Sequence, residues 1–205
     1  MKVYFVTKNS HKFSEVKSIL NEFNIQIEQL SMEKDEDKEK LIEDVALYNA
    51  ELFASKHNVP IVVEDTGFYY NAYPNFPGSN PKLMFNLLGY KGLLKLLENE
   101  KDRGAEFKAA VAFAYKGEKK LFTGKLKGVI TEKIDGNEED VMPYERIFIP
   151  EGQDKLLAFI PREEKNKISH RYHAFRQFAE WFVKKYNNQK DNNSDNTIEN
   201  EGDGN

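Results

Sequence analysis

The stretch Pro60–Tyr70, PIVVEDTGFYY, constrains the fold of this chain more than any other. Its apolar triplet Ile61–Val63 is wholly β-branched, which predicts a strand buried on both faces of a sheet. We expect this strand to end at Glu64 and Asp65, with the chain turning at Thr66-Gly67. Open α/β sheets bind their ligands beyond the carboxyl ends of strands, so the two adjacent carboxylates mark a candidate site. The alternative is that they end the strand in water.

The pattern before this strand alternates between the periods of strands and of helices. Strands are predicted over 2–7 and 25–30, and amphipathic helices over about 11–23 and 41–56. This alternation is typical of an α/β protein. Later elements are two short helices on either side of Gly89-Tyr90, strands over 107–115, 119–122 and 126–134, and a final element over 165–186.

Composition narrows the class of protein. We predict one domain over residues 1–186 and a disordered polar tail over 187–205, which is too poor in apolar residues to fold. A net charge of −4 predicts neither nucleic-acid nor membrane binding. The chain has no cysteine, which excludes thiolate sites and is typical of a reducing compartment. No apolar run approaches the roughly 18 residues of a membrane span, so we expect a cytoplasmic protein.

Two predicted helix starts are basic. Lys12 falls in the first turn of a helix that Asn9 or Ser10 can cap. A cation there opposes the helix dipole, so it is better placed to bind an anion than to stabilise the helix, although an ordinary solvated lysine is an equal alternative. At the last helix, Ser169 is the candidate cap, and four basic side chains surround the start: Lys165, Lys167, His170 and Arg171. That cluster favours phosphate binding.

Two further stretches are ambiguous by themselves. The run 32–40, MEKDEDKEK, resembles a solvated loop, but one of its carboxylates could turn inward to a metal ion. The segment 142–155 combines aromatic and acidic residues, which suits either a nucleobase or the edge of a core. The sequence contains no phosphate-binding glycine loop or dinucleotide fingerprint, and its oxygen ligands suit magnesium, with manganese as the alternative.

Taken together, four motifs resemble the inosine triphosphate pyrophosphatase family. They are Thr7–Lys12 (TKNSHK) followed by Glu15, Val63–Gly67 (VEDTG), Phe76–Gly78 (FPG), and Ser169–Arg171 (SHR) with Ala174. Their order and spacing match over about residues 2–183. The resemblance implies an elongated mixed β-sheet flanked by helices, with a nucleotide-binding cleft between two lobes. It also implies a magnesium-dependent, commonly homodimeric enzyme that hydrolyses ITP, XTP and their deoxy forms to the monophosphate and pyrophosphate.

The resemblance also implies roles for individual residues. Asn9 and Lys12 would hold the phosphates, Asp65 would bind metal or orient the attacking water, and Lys165 would contact the triphosphate. Glu33 matches the metal-binding glutamate best, with Glu36 as the alternative. The full set is Asp65, Lys12 and Lys165 for catalysis, Glu33 and Asp65 for the metal, and Thr7, Asn9, Lys12, Tyr144, Glu145, Lys165, Ser169, His170 and Arg171 for the substrate.

The chain departs from the family pattern in two loops. Lys8 replaces the usual glycine of Thr-Gly-Asn. The base-recognition loop, usually Phe-Gly-Trp/Tyr-Asp-Pro, here reads Met142–Arg146 (MPYER). Two further hypotheses therefore accompany the leading one. The same chemistry acts on a different modified nucleotide, or the protein binds nucleotides and has lost turnover.

Overall fold

A single mixed sheet organises the computed structural model, which describes residues 2–35, 37, 40–135 and 142–186. Its strands are β1 (Val3–Val6), β2 (Ile27–Leu30), β3 (Ile61–Tyr70), β4 (Pro77–Gly78), β5 (Gly104–Tyr115), β6 (Glu118–Ile130) and β7 (Phe148–Pro150). The helices are α1 (Ser10–Asn21), α2 (Ile42–His57), α3 (Pro81–Leu96), α4 (Arg162–Ile168) and α5 (His170–Tyr186). The strand order is β2-β1-β3-β5-β6-β7, and β4 pairs with β3. A mixed sheet flanked by helices confirms the predicted fold class.

The sheet is parallel where strands and helices alternate and antiparallel elsewhere. β1 pairs in parallel with β2 and β3, whereas β5, β6 and β7 follow as an antiparallel meander. A parallel pair needs a crossover connection, and α1 and α2 supply the two crossovers. The strand-helix-strand-helix-strand prediction for the first third of the chain is therefore confirmed.

Three hydrophobic cores pack against this sheet. The first lies under α1 and α5, on the face that Val62 and Phe113 share. The second lies on the opposite face, where α2 covers Ile61 and Val63. The third lies at the far end of the sheet, where α3 and β7 pack on Phe68 and other aromatic residues. The cores thus separate the sheet into two ends, which correspond to the predicted lobes.

The prediction that the third strand ends at Glu64 and Asp65 is wrong. β3 continues through Gly67 to Tyr70, and it pairs with β5 over its whole length. Only its first part has β1 as a neighbour, because β1 ends at Val6, opposite Val63. The ladder to β5 satisfies the backbone of β3 beyond that point, so the strand has no need to turn.

The prediction of two separate strands over 119–122 and 126–134 is also wrong. β6 is one continuous strand, because β5 pairs with it from Glu118 to Val129. Gly124 does not interrupt this strand. It is needed for close packing, because a Cβ at Gly124 would lie 2.1 Å from the His170 backbone oxygen. Glycine therefore lets the start of α5 pack directly on the sheet. In contrast, the predicted interruption at Gly89 is confirmed, since this residue has a non-helical φ of 59° inside α3.

Within the part of the chain that the structure describes, no helix is both long enough and apolar enough to cross a membrane. The predicted tail over 187–205 and residue Glu36 lie outside the described residues.

Candidate active site

The candidate site lies beyond the carboxyl end of β1, beside the middle of the longer parallel strand β3. Thr7 follows β1, and Glu64 is the first residue of β3 past its pairing with β1. The start of α1 lies at the same edge, because Asn9 accepts a hydrogen bond from the Lys12 backbone N–H (3.0 Å) as the helix cap. The predicted cap is therefore confirmed. This edge is where ligands of such sheets bind.

Glu64 and Asp65 lie on opposite faces of the sheet. Successive side chains of a strand point to opposite sides, so Glu64 shares the face of Val62, under α1 and α5. Asp65 shares the face of Val63 and of α2. The two adjacent carboxylates that marked the candidate site therefore do not face the same side of the sheet. The two carboxylates lie in different surroundings.

On its face, Glu64 is fully buried between two cations. Its carboxylate accepts a hydrogen bond from Arg171 Nε (2.8 Å), and Lys12 Nζ lies 3.2 Å from Oε2 as an ion pair outside hydrogen-bond geometry. Burial alone would raise the pKa of Glu64, but the charges of Arg171 and Lys12 outweigh it and lower the pKa to about 2. Glu64 is therefore a permanent anion at neutral pH, and it fixes both cations.

A second carboxylate completes this buried network. Glu15 on α1 lies 2.7 Å from Arg171 Nη1 and accepts a hydrogen bond from the Ser169 hydroxyl at 3.2 Å. The same hydroxyl accepts from the Tyr172 N–H at 3.0 Å, which confirms Ser169 as the cap of α5. Arg171 thus links α1, β3 and α5.

The charge at the start of α5 is balanced differently from the prediction. The sequence indicated four cations that would need a bound polyanion. Instead, Arg171 is neutralised by Glu15 and Glu64, and Lys165 pairs with Glu145 at 2.9 Å. Protein carboxylates from distant parts of the chain supply the negative charge. The cluster by itself therefore does not demand a polyanion.

His170 is held as a neutral ring. It stacks on Phe107 with centroids 5.4 Å apart and ring planes 19° apart. Burial, together with the Arg171 charge, lowers the pKa of His170 to about 3. Its Nδ1 atom is buried, and it has no hydrogen-bond partner among the described residues. A ring in this state can exchange a neutral hydrogen bond with a ligand but cannot supply charge.

Lys12 is the cation that faces the strand ends. Its Nζ donates to the Thr66 hydroxyl at 3.3 Å, in addition to the ion pair with Glu64. Burial lowers the pKa of Lys12, while the Glu64 charge opposes that shift. Thr7 is buried beside it, and its hydroxyl accepts from the Asn9 N–H at 3.1 Å. The structure therefore brings Thr7, Asn9 and Lys12 together at one edge.

On the opposite face, a lysine that the sequence reasoning missed lies against Asp65. Lys34 Nζ donates to the Glu64 carbonyl oxygen at 2.8 Å and lies 3.5 Å from Asp65 Oδ1. Burial raises the pKa of Asp65, and the Lys34 charge is the largest opposing influence. Lys34 belongs to a mixed-charge run without periodicity, so the sequence carried no signal that it would turn inward.

The predicted metal ligands are not gathered into a cage. Glu33 is 86% exposed, and Lys8 Nζ lies 2.5 Å from its carboxylate. That hydrogen bond lowers the pKa of Glu33. Asp65 pairs with Lys34 instead. No group of three or more histidine, aspartate or glutamate side chains suited to a metal ion occurs in residues 2–35, 37, 40–135 and 142–186.

The loop that carries Met142, Tyr144 and Glu145 is divided between core and surface. Tyr144 is 1% exposed in the aromatic core, and its hydroxyl donates to the Pro81 carbonyl oxygen at 2.8 Å. Met142 is 64% exposed. Glu145 is nearly buried against Lys165. The predicted substrate roles of Tyr144 and Glu145 remain predictions, and the tyrosine ring serves packing here.

Fold and site together define an α/β protein with Lys12 and Lys34 next to the carboxyl end of β1. The chain belongs to the Ham1 family, whose model matches residues 3–181. The family resemblance seen in the sequence motifs is therefore confirmed.

Curated relatives match nearly the whole chain. It is 40% identical over 183 residues to the dITP/XTP pyrophosphatase of Methanopyrus kandleri, covering 89% of this chain and 96% of the relative. It is also 40% identical over 186 residues to the protein of the same name from Saccharolobus solfataricus, covering 91% and 95% of the two chains.

Solved structures support the fold. The structure of the Staphylococcus aureus Ham1 protein matches with a TM-score of 0.75 and 22% identity, over 90% of this chain and 99% of that chain. At that identity the likeness bears on the fold alone.

Proposed function

We propose that this chain hydrolyses noncanonical purine nucleoside triphosphates, such as ITP, XTP and dITP, to the monophosphate and pyrophosphate, and thereby removes them from the nucleotide pool. Relatives named dITP/XTP pyrophosphatase cover about nine-tenths of the chain. The observation that carries the proposal is that Lys12, on one face of β3, and Asp65, on the other face, both lie next to the carboxyl end of β1. A cation and a carboxylate at such an edge suit a polyphosphate and the water that attacks it.

Different residues of the site would contact different parts of the substrate. Thr7, Asn9 and Lys12 would meet the phosphates, and Asp65 would hold the attacking water. At the other end, Lys165 would contact the triphosphate, and Tyr144, Glu145, Ser169, His170 and Arg171 would lie near the base. Neutral His170 fits that end, because its unpartnered Nδ1 can accept one hydrogen bond from a base or donate one to it.

A divalent ion fits the site only with help from the substrate. Asp65 is a mostly buried carboxylate next to the carboxyl end of β1, whereas Glu33 is exposed. Magnesium commonly binds through one or two carboxylates together with substrate phosphates, which matches this donor set. When bound, the ion would neutralise charge that builds on the phosphates. Magnesium, with manganese as the alternative, is part of the proposal.

The proposed reaction breaks one phosphoanhydride bond. A water oxygen attacks the α-phosphorus, the bond from that phosphorus to the bridging oxygen breaks, and pyrophosphate leaves. Asp65 would accept a hydrogen bond from the water and orient it, and the contact of its carboxylate with Lys34 Nζ at 3.5 Å supports this role. Lys12 would stabilise negative charge on the phosphates.

The altered base loop favours a second candidate function, in which the same chemistry acts on another modified nucleotide. Met142 is exposed at the position where the family has a stacking phenylalanine, and Pro143 replaces a glycine. Introducing Met142→Phe, Pro143→Gly and Glu145→Asp together is expected to shift preference toward ITP. Unchanged preference would remove this loop from base selection.

The experiment that tests the proposal is pyrophosphate release from ITP, XTP, dITP and the four common triphosphates with magnesium. We expect kcat/KM for the noncanonical purines to exceed that for ATP by at least about a hundredfold, since the site would hydrogen-bond the 6-oxo group that adenine lacks. Guanine shares that group, so discrimination against GTP would depend on excluding its 2-amino group. The Asp65→Asn variant, purified identically, controls for contaminating phosphatases. Binding of a triphosphate without hydrolysis under several divalent ions would instead favour a nucleotide-binding protein that has lost turnover.

A homodimer and a cytoplasmic location are also part of the proposal. Support for a dimer comes from α3, on which Leu83, Leu87 and Leu88 are exposed by 48%, 69% and 39%. Exposed apolar patches often mark interaction sites. Light scattering on the purified chain measures the mass, and Leu87→Glu is expected to lower it to that of a monomer if α3 lies in the interface. Cell fractionation tests the location.

A further inference from the structure

Lys34 lies in a position that the fold builds for it. Its Nζ contacts the Glu64 carbonyl oxygen at 2.8 Å and Asp65 Oδ1 at 3.5 Å, and its side chain is only 13% exposed. Most lysines at a loop surface keep their ammonium group in water. Placing it against a strand carbonyl and a carboxylate costs side-chain entropy and hydration, so this arrangement indicates a specific role.

A fully buried amide holds the loop that carries Lys34. Asn49 on α2 is 0% exposed, and its side chain accepts from the Asp35 N–H at 2.8 Å and donates to the Asp35 carbonyl oxygen at 2.7 Å. Asn49 also donates to the Val45 carbonyl oxygen at 2.8 Å. Two bonds to one backbone unit orient the loop next to Lys34. The position of Lys34 is therefore preorganised by α2.

Lys34 and Lys12 converge on the same three residues of β3 from opposite faces. Lys12 contacts the Glu64 carboxylate and the Thr66 hydroxyl, whereas Lys34 contacts the Glu64 carbonyl oxygen and Asp65. They lie close enough for the Lys34 charge to lower the pKa of Lys12. Glu64 and Asp65 offset these two charges in the free protein, and a polyanion bound at this edge would face both ammonium groups.

We infer that Lys34 is a second lysine that contacts the phosphates. In the free protein it pairs with the Asp65 carboxylate, and it releases this carboxylate when a metal–polyphosphate complex binds. This inference rests on the proposed function. Both predicted metal ligands already form an ion pair with a lysine: Glu33 with Lys8 and Asp65 with Lys34. A divalent ion that approached alone would meet the repulsion of these cations. The polyphosphate neutralises the lysines, and the metal and nucleotide therefore bind together rather than in sequence.

The test compares two binding reactions in Lys34→Met, neither of which needs turnover. Removing the charge is expected to weaken metal-free pyrophosphate binding about tenfold, measured by calorimetry with EDTA. It is expected to strengthen binding of Mn²⁺ alone about tenfold, measured by electron paramagnetic resonance. Lys34→Arg keeps the charge and should bind pyrophosphate within about threefold of the wild type. Lys119→Met removes an exposed, ion-paired lysine far from the site and is the matched control.

The opposite signs distinguish the inference from a purely structural role. If Lys34 only packs the loop, Lys34→Met weakens binding of both ligands. Unchanged binding of both would make Lys34 a bystander and overturn the inference while the proposed function stands. A wild-type protein that binds no pyrophosphate would overturn it together with the phosphate site. Opposite shifts in a protein that hydrolyses no triphosphate would support the inference and reject the proposed turnover.

Discussion

Glu64 and Asp65 are neighbours in the chain with the same charge, yet they occupy opposite kinds of environment. Glu64 has a side chain that is 0% exposed, between Arg171 and Lys12 on the face under α1 and α5. Asp65 is 17% exposed and has Lys34 at 3.5 Å on the other face. Glu64 is fixed by ion pairs with two cations, whereas Asp65 has only a longer contact with Lys34.

The opposite pKa shifts express this difference. Burial acts to raise the pKa of both carboxyl groups, but the Arg171 and Lys12 charges reverse it at Glu64, to about 2. At Asp65 the lysine charges are insufficient, and the pKa stays raised. Cations that satisfy a buried carboxylate stabilise it and also remove it from chemistry. We therefore expect Glu64 to position other groups and Asp65 to act on the substrate.

The largest expected effect is the loss of turnover when the Asp65 carboxylate is replaced by an amide. Asp65→Asn should lower pyrophosphate release by about 10³-fold, since an amide orients the water and a metal far less well. The melting temperature should change by less than about 3 °C, because the 3.5 Å contact between Asp65 and Lys34 is loose. Steady-state release and a thermal melt of the same preparation measure both. A variant with near wild-type turnover would exclude Asp65 from the reaction.

The next effect concerns stability at Glu64. Glu64→Gln leaves Lys12 without its buried counter-charge and Arg171 with Glu15 alone, so we expect the free energy of unfolding to fall by about 3–5 kcal/mol. Urea unfolding at pH 7.5 measures it. Glu51→Gln, which breaks an exposed pair with Lys119, is the control and should unfold like the wild type. Equal stability of the two variants would show that the Glu64 network contributes nothing.

Lowering the pH should destabilise the Glu64 face first through His170 and only later through Glu64 itself. The pKa of His170 in the folded protein is about 3, below its ordinary value of 6.5, so the unfolded chain binds the proton first. Stability from neutral His170 is complete above pH 6.5 and is lost as the pH falls toward 3. Glu64, with a pKa of about 2 against 4.5, loses its contribution only below about pH 4.5.

The measurement for this prediction is urea unfolding at pH 7.5 and 5.5. The wild type should lose about 1.4 kcal/mol of unfolding free energy over this interval through His170. His170→Asn should lack that loss, whereas His57→Asn, at the exposed end of α2, should retain it. A slope that persists in His170→Asn would mean that another group titrates.

The smallest effect concerns the hydroxyl that shares the face of Glu64. Thr66→Val removes the Lys12 hydrogen bond at 3.3 Å, and we expect a loss of about 1 kcal/mol in stability. The KM for the triphosphate should rise severalfold, because Lys12 loses one of the contacts that hold it. Thr66→Ser retains the hydroxyl and should behave as the wild type. If Thr66→Ser is equally impaired, the methyl group rather than the hydroxyl matters.

Local signals determined much of this protein in advance. The period of the apolar residues indicated the helices, and Ser169 and Asn9 were recognisable caps because capping depends on residues three positions apart. The motifs around Lys12, Asp65 and Arg171 pointed to the family by their order along the chain. Each of these signals is short-range or survives as a linear pattern.

Only the tertiary structure decided which charged side chains pair with one another. Glu15 and Arg171 are 156 residues apart in sequence yet form one ion pair, and Lys165 is neutralised by Glu145. No local pattern encodes such a choice, because a charged side chain takes whichever opposite charge the packed elements bring near it. The same holds for Lys34, which turned inward because a buried Asn49 holds its loop. The sequence alone therefore determined the elements and the family, while packing determined which carboxylate was locked by cations and which stayed at the edge.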